Sequence, residues 1–498
     1  MEYDYAQSSR TLRRVAVAAA AALVLTLVSP AQDASADLTF TFEGGGFGHS
    51  VGMSQYGAYG MALDGYTWEE IVTHYFTDTT VAPADPLFTE RPLWVGITQE
   101  QATVTFSVRA IDADPVPVVA TTSVGETLSA AAGETITIEH LGGARCRVTT
   151  PEGSLTGDCA VDLAWDGWEP SPTSALVLEG CTLPDWNAPG GTVFKPCTYA
   201  RGTMHVRQDN NTDTVDVALE IDLEDYVLGI SESPDGWGST GGMAALQAQA
   251  VAARSYAVHR SIDRGDPTDR PWCWCQIYDT PVDQNYVGWG HGTQNWIDAV
   301  RTTEDMVLTH PSETYEGALL PIEAFYSSST FGHTEPSEHG FTTYVPYLRG
   351  VDDHWALDPA VFNHSARWIR QFSGSSLATR LPGMTTVTGL EVTACSESGA
   401  ALEITFAGAG GPRTYTTRQV RGYLGLRSMQ IIRAGSPLPD EPACPQPGEP
   451  GNGEEPAAEG GPVTLFGLTI DDDADEDSSG NADGIAQCGE TIEVFTSI

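Results

Sequence analysis

The chain has 498 residues, 67 Asp plus Glu against 24 Lys plus Arg, and a formal net charge of −43. Its length permits about two to four domains, and 41% hydrophobic residues supply ample core. Lys195 is the one lysine. So acidic a surface repels nucleic acid and anionic lipid, making both poor partners, and suits a protein kept soluble in high salt.

In chain order, Arg10, Arg13 and Arg14 precede the apolar run VAVAAAAALVLTLV, and Ala34-Ser35-Ala36 follows it. The pattern predicts a signal segment over 1–36 and a secreted mature protein starting near Asp37. An uncleaved anchor is the alternative, although the run is short for a membrane helix. After cleavage no membrane contact is expected, because no later segment is apolar enough to span a bilayer. In an exported protein nine cysteines default to disulfides. Cys146 with Cys159 and Cys181 with Cys197 are plausible local pairs, but spacing does not fix connectivity. Cys273-Trp-Cys275 lacks a regularly spaced His, so zinc is not expected and no cofactor is assigned.

Residues 37–80 contain FEGGGFGHSVGMSQYGAYGMALDGYTWEEIVTHYF. A strand, Leu38 to Glu43, enters a glycine-rich loop carrying His49, Ser54 and Gln55. A short helix over Tyr56 to Leu63 follows. Thr67 opens a second helix, with Glu70 completing a capping box and Ile71, Val72 and Tyr75 on one apolar face. His49 and Gln55 read either as a polar shelf or as loop groups satisfying the backbone.

Residues 92–217 alternate in runs such as TVTFSVRAI and TVDVALEI, predicting a β-rich inserted subdomain. LEIDLEDYVLGI then predicts a strand and a helical turn, ended by Glu232-Ser233-Pro234. An alanine-rich helix is expected over Met243 to Ser261. Leu246, Ala250, Ala253 and Ala257 form its core side, whereas Gln247 and Arg254, seven apart, share another face. A buried Arg254 needs a partner: Glu232, a substrate carboxylate, or a purely structural ion pair. Further on, AFYSSSTFGHTEPSE delivers Tyr326 and Ser328 as candidate binders of sugar hydroxyls. No G-x-S-x-G elbow supports a serine hydrolase. Strands and a short helix, Arg418 to Gly425, close the globular part at 433. Pro/Gly/Glu-rich sequence over 434–462 reads as a linker. The acidic segment 463–498 reads as the start of an Ig-like β domain. Its Asp run resembles a calcium loop only loosely, without EF-hand spacing.

Three stretches together resemble the SpoIID/LytB family: GGGFGHSVGMSQYGAYGMALDG, LEDYVLGISESPDGWGSTGGMAALQAQAVAARSYA, and FYSSSTFGHTEPSEHGF followed by YLRGV. The resemblance covers roughly residues 38–433. It departs at Ser50, where the family usually has Gly, at Ser233, where Met is usual, and at Phe331, which replaces a glycine. Asp283 stands where the family has a zinc-associated cysteine, and the Gly-His motif precedes the Glu motif.

The resemblance implies an α+β fold and a lytic transglycosylase acting on peptidoglycan glycan strands, preferably ones stripped of stem peptides. By motif Glu232 becomes the catalytic acid, and Arg254 and Tyr326 position substrate, with His49, Gln55, Gln247 and Ser328 as further contacts. Such an enzyme needs one essential carboxylate, because the sugar's C6 hydroxyl is the nucleophile, whereas glycoside hydrolysis usually needs two. Arg254 is then expected to face the substrate's lactyl carboxylate. The alternative is a wall-binding protein that stimulates a cell-wall amidase, as the enhancer members of the family imply.

Overall fold

The computed structural model describes residues 37–184 and 194–446, together with the strands Thr469–Asp471 and Glu493–Phe495. Helix and sheet are mixed, as an α+β protein requires. The leader expected over 1–36, Cys488 and most of the acidic segment lie outside the described residues. Thr469–Asp471 pairs antiparallel with Glu493–Phe495. Among the described residues no helix is long and apolar enough to cross a membrane.

The first strand, Thr39–Gly44, lies between two strands from the far end of the chain. It pairs antiparallel with Trp368–Ser373 on one side and Ile431–Gly435 on the other. Its alternate residues Phe40 and Phe42 point into an apolar cluster with Trp368, Ile404, Phe406, Val420 and Ile431. The cluster is closed by the sheet of Gly389–Cys395, Ala401–Ala407 and Arg413–Thr416 and by the helix Thr417–Leu424. That helix is set by a capping box between Thr416 and Gln419 and ends at Gly425 in the left-handed region. The glycine-rich loop thus leaves a strand whose position the last third of the chain fixes.

The β-rich region runs from Leu93 to Ile221 and forms two sheets, one of six strands and one of six that the strand Ile277–Tyr278 extends to seven. Alternate side chains such as Val104, Phe106 and Val108, and Val217 and Leu219, are buried in one apolar core. The Cys146–Cys159 disulfide ties the six-stranded sheet to the start of a strand of the other. Cys181–Cys197 joins paired strands. Cys273 and Cys275 pair with each other, so neither sulfur is a free thiolate.

The alanine-rich helix spans Met243–Arg264, one turn longer than its sequence predicts, and runs through the main core. Leu246, Ala250, Ala253 and Ala257 are buried, and their small side chains let the helices Gln55–Leu63 and Trp68–Tyr75 pack closely. In the latter, Thr67 and Glu70 form the predicted capping box, and Ile71, Val72 and Tyr75 are buried.

The first residues of the segment whose composition predicts a linker are held on the globular part. Cys444 is bonded to Cys395, Ala443 donates to the Ile432 carbonyl, and the Gln446 side chain donates to the Gly399 carbonyl. Residues 436–446 are therefore held on the globular part, although their Pro-rich sequence carries no periodicity to announce it.

Candidate active site

Glu232 lies where the turn after the helix Leu223–Leu228 meets the segment 283–286. Its Oε1 accepts a hydrogen bond from the Asn285 backbone N–H at 2.7 Å, and the Tyr326 hydroxyl lies at 3.4 Å. Burial raises its pKa above the ordinary glutamate value, while these two donors pull the other way. A mostly buried carboxyl of this kind keeps its proton to higher pH than a solvated one.

A chain of hydrogen bonds sets the Tyr326 hydroxyl. Gln284 donates to the Ala253 carbonyl at 3.2 Å and to the Tyr326 oxygen at 2.9 Å, and its Oε1 accepts from Tyr226 at 3.0 Å. The amide orientation is thereby fixed, and with Tyr326 Oη already accepting, its own proton is free to point at Glu232.

Glu232 opens on a groove of about 680 Å³. His49, Gln55, Tyr326 and Ser328 line it with Glu232, so the structure brings five of the seven sequence-predicted residues together. Strand-like contacts explain how. Met53–Ser54 pairs parallel with Tyr326–Ser327, and Phe47 bridges to Ser329, laying the glycine-rich loop along the serine segment. A Cβ on Gly48, where φ is +117°, would sit 2.6 Å from Ser327 Cβ. Beneath them Asp353 accepts from Tyr75 and Thr330, both at 2.5 Å, and a Cβ on Gly57 would strike its carboxylate. One buried acid thus ties the serine segment to two N-terminal helices.

His49 is more tightly held than a free polar shelf. Its Nδ1 accepts from the Val51 N–H at 3.1 Å, and its ring packs against Phe325 and Phe341. Burial and the nearby positive charge of Arg421 lower its pKa to about 4, so it is neutral at ordinary pH. Gln55 donates to Gln249 Oε1 at 3.2 Å, and Ser233 approaches the same oxygen at 3.4 Å. Gln249 Nε2 and Ser327 Oγ are buried without a partner.

Arg254 and Gln247 do not reach the groove. They share a helix face, as their spacing requires, but it is turned toward residues 302–306. Gln247 donates to Thr302 Oγ1 at 2.9 Å. Arg254 is fully buried and holds Glu224 at 2.6 and 2.7 Å through Nε and Nη2, with Nη1 on the Met306 carbonyl at 3.0 Å. Its partner is neither Glu232 nor a substrate carboxylate. From the same helix Tyr256 and Arg260, four apart, line the groove instead, and Gln249, seven before Tyr256, lies buried behind Gln55.

Asp283 also lines the groove, but Arg264 holds both its oxygens, at 2.6 and 2.7 Å, and Tyr256 and the Tyr278 N–H add further bonds. Its side chain has no exposed surface. Gln284, Asn285 and Gln249 are given no role by the sequence. The signal available was the adjacency of Asp283, Gln284 and Asn285. Among the described residues no three His, Cys, Asp or Glu side chains gather as a metal site. A smaller cavity of about 220 Å³, lined by Arg201, Asp225, Tyr286, Trp289 and Arg301 among others, shares no residue with the groove.

Fold and site define an α+β protein with a partly buried, hydrogen-bonded glutamate in a groove assembled from remote parts of the chain. Residues 211–310, which include Glu232 and the long helix, match the family model SpoIID, Stage II sporulation protein. The chain carries a SpoIID/LytB-family region, as its motifs indicate. Stage II sporulation protein D of Bacillus subtilis is 28% identical over 180 residues, covering 34% of this chain and 49% of that protein. Its counterpart in Bacillus amyloliquefaciens is 30% identical over 148 residues, 27% of this chain and 39% of that protein. The amidase enhancer of Bacillus subtilis is 31% identical over 150 residues, 30% of this chain and 17% of that protein. The chain thus spans about half the length, or less, of these curated relatives. No solved structure matches.

Proposed function

We propose that this protein is an exported peptidoglycan lytic transglycosylase with Glu232 as its acid and base. The observation that carries the reading is the state of the two carboxylates in the groove: Glu232 is held protonation-ready, and Asp283 is consumed by Arg264. Glycoside hydrolysis usually needs a second free carboxylate to activate water or to attack the sugar. Here one carboxyl serves both steps. Protonated Glu232 gives its proton to the departing glycosidic oxygen. As a carboxylate it then takes the proton of the C6 hydroxyl of the same muramic residue, whose oxygen closes on C1. The bond to O4 breaks, the bond from O6 to C1 forms, no water is consumed, and Glu232 ends protonated. Tyr326 and the Asn285 N–H steady the intermediate carboxylate.

The test is digestion of peptide-free glycan followed by mass spectrometry. The reading predicts muramic ends one water lighter than hydrolysed ends, and hydrolysed ends would overturn it. Similarity to a protein named amidase enhancer supports a second reading, a glycan-binding partner of a wall amidase. That reading predicts binding without any cleavage, and acceleration of an added amidase.

A further inference from the structure

The groove carries four ionisable acid and guanidinium groups: Glu232, Asp283, Arg260 and Arg421. Three are engaged. Glu232 is hydrogen-bonded, Asp283 is held by Arg264, and Arg260 meets Glu323 at 2.9 Å and the Tyr256 hydroxyl at 3.1 Å. Arg421 is different. Among the described residues its guanidinium makes no ion pair, and its Nε is buried with no hydrogen-bond partner. A buried guanidinium N–H without an acceptor is costly, and in a chain of net charge −43 acidic partners are abundant. Its position is built from below. Val420 and Leu424 bury one side of its helix, and the Gly48 N–H donates to the Arg427 carbonyl at 3.0 Å, fastening the segment that follows the helix to the glycine-rich loop. Its neighbour His49 is neutral and offers it no counter-charge. Phe47, 50% exposed, stands on the same lining as an apolar face for a sugar ring.

We propose that Arg421 binds the free carboxylate of a muramic lactyl group, so that the groove senses whether that group is charged or capped by peptide. The assignment rests on the reading of this groove as a glycan site. Ring hydroxyls and acetamides of such a glycan are neutral, and the lactyl ether is the substituent that carries either a carboxylate or a neutral amide. A guanidinium pairs with the former through charge-assisted bonds that the latter cannot match.

The experiment compares one peptide-free glycan in two forms, with free lactyl carboxylates and with the same groups converted to methylamides. Binding is measured in the full chain carrying Glu232→Gln, so that affinity is read without cleavage. The carboxylate form is expected to bind roughly 10–100-fold tighter. Adding Arg421→Gln should erase that ratio by weakening the carboxylate form alone, while Arg421→Lys should keep part of it. An equal affinity for the two glycans before any change at Arg421 overturns the proposal without needing the variant to fold. An unchanged ratio in folded Arg421→Gln also overturns it. Binding that depends on Arg421 in a protein that yields no anhydro ends would sink the transglycosylase reading and leave this assignment standing. Failure to bind either glycan would sink both.

Discussion

At the scale of single residues, the chemistry depends on how Glu232 holds its proton. A general acid works while protonated, so activity should be present below its folded pKa and lost as pH rises through it. That pKa lies above the ordinary glutamate value because burial outweighs the two donors. Tyr326→Phe removes a donor that favours the carboxylate, so the alkaline limb of kcat against pH should move to higher pH, with kcat reduced roughly tenfold. A limb that stays in place would assign Tyr326 to packing alone. Glu232 was legible in the sequence because its turn and the following helix form one contiguous motif. Arg421 was not, because it lies 189 positions away on a short helix whose relation to the loop at His49 arises only when the first strand pairs with Ile431–Gly435.

At the scale of elements, the long helix shows what spacing can and cannot decide. Its existence and its apolar side follow from alanine content and periodicity. Which polar side meets the groove does not, since Gln247 with Arg254 and Gln249 with Tyr256 are equally regular pairs. The decision falls to Glu224, which the helix Leu223–Leu228 places against Arg254. Arg254→Ala should therefore cost about 3–5 kcal/mol, the usual penalty for stranding one member of a buried pair. The thermal midpoint should drop, while KM of the folded fraction for glycan stays unchanged. A rise in KM without loss of stability would return Arg254 to substrate binding. The strap at 436–446 gives a second case. Opening Cys395–Cys444, which closes a 49-residue separation, by Cys444→Ser should lower stability by about 4 kcal/mol on loop entropy. Urea unfolding would measure it, and proteolysis should then reach residues 436–446 first.

At the scale of the molecule, buried acids and a large net charge set the conditions the fold tolerates. Burial pushes Asp216 and Asp279 up to about 7 and Asp353 to about 6. Unfolded, all three release their protons near pH ~4, so between about 4 and 7 the folded state binds more protons and stability falls as pH rises. His49 acts oppositely between about 4 and its ordinary 6.5, but it is one group against three. Self-repulsion of a −43 chain adds to the decline and is screened by salt. The thermal midpoint should be higher near pH ~5 than near pH ~7.5, and added salt should narrow the gap. A midpoint that rises toward neutral pH would contradict these assignments. The most direct test of the whole account is turnover of peptide-free glycan by the native chain and by Glu232→Gln, run in water enriched in oxygen-18. The native chain should form anhydro ends carrying no label, and Glu232→Gln should bind the glycan but lose cleavage by roughly 10²–10⁴-fold. Labelled reducing ends, or undiminished cleavage by Glu232→Gln, would contradict it.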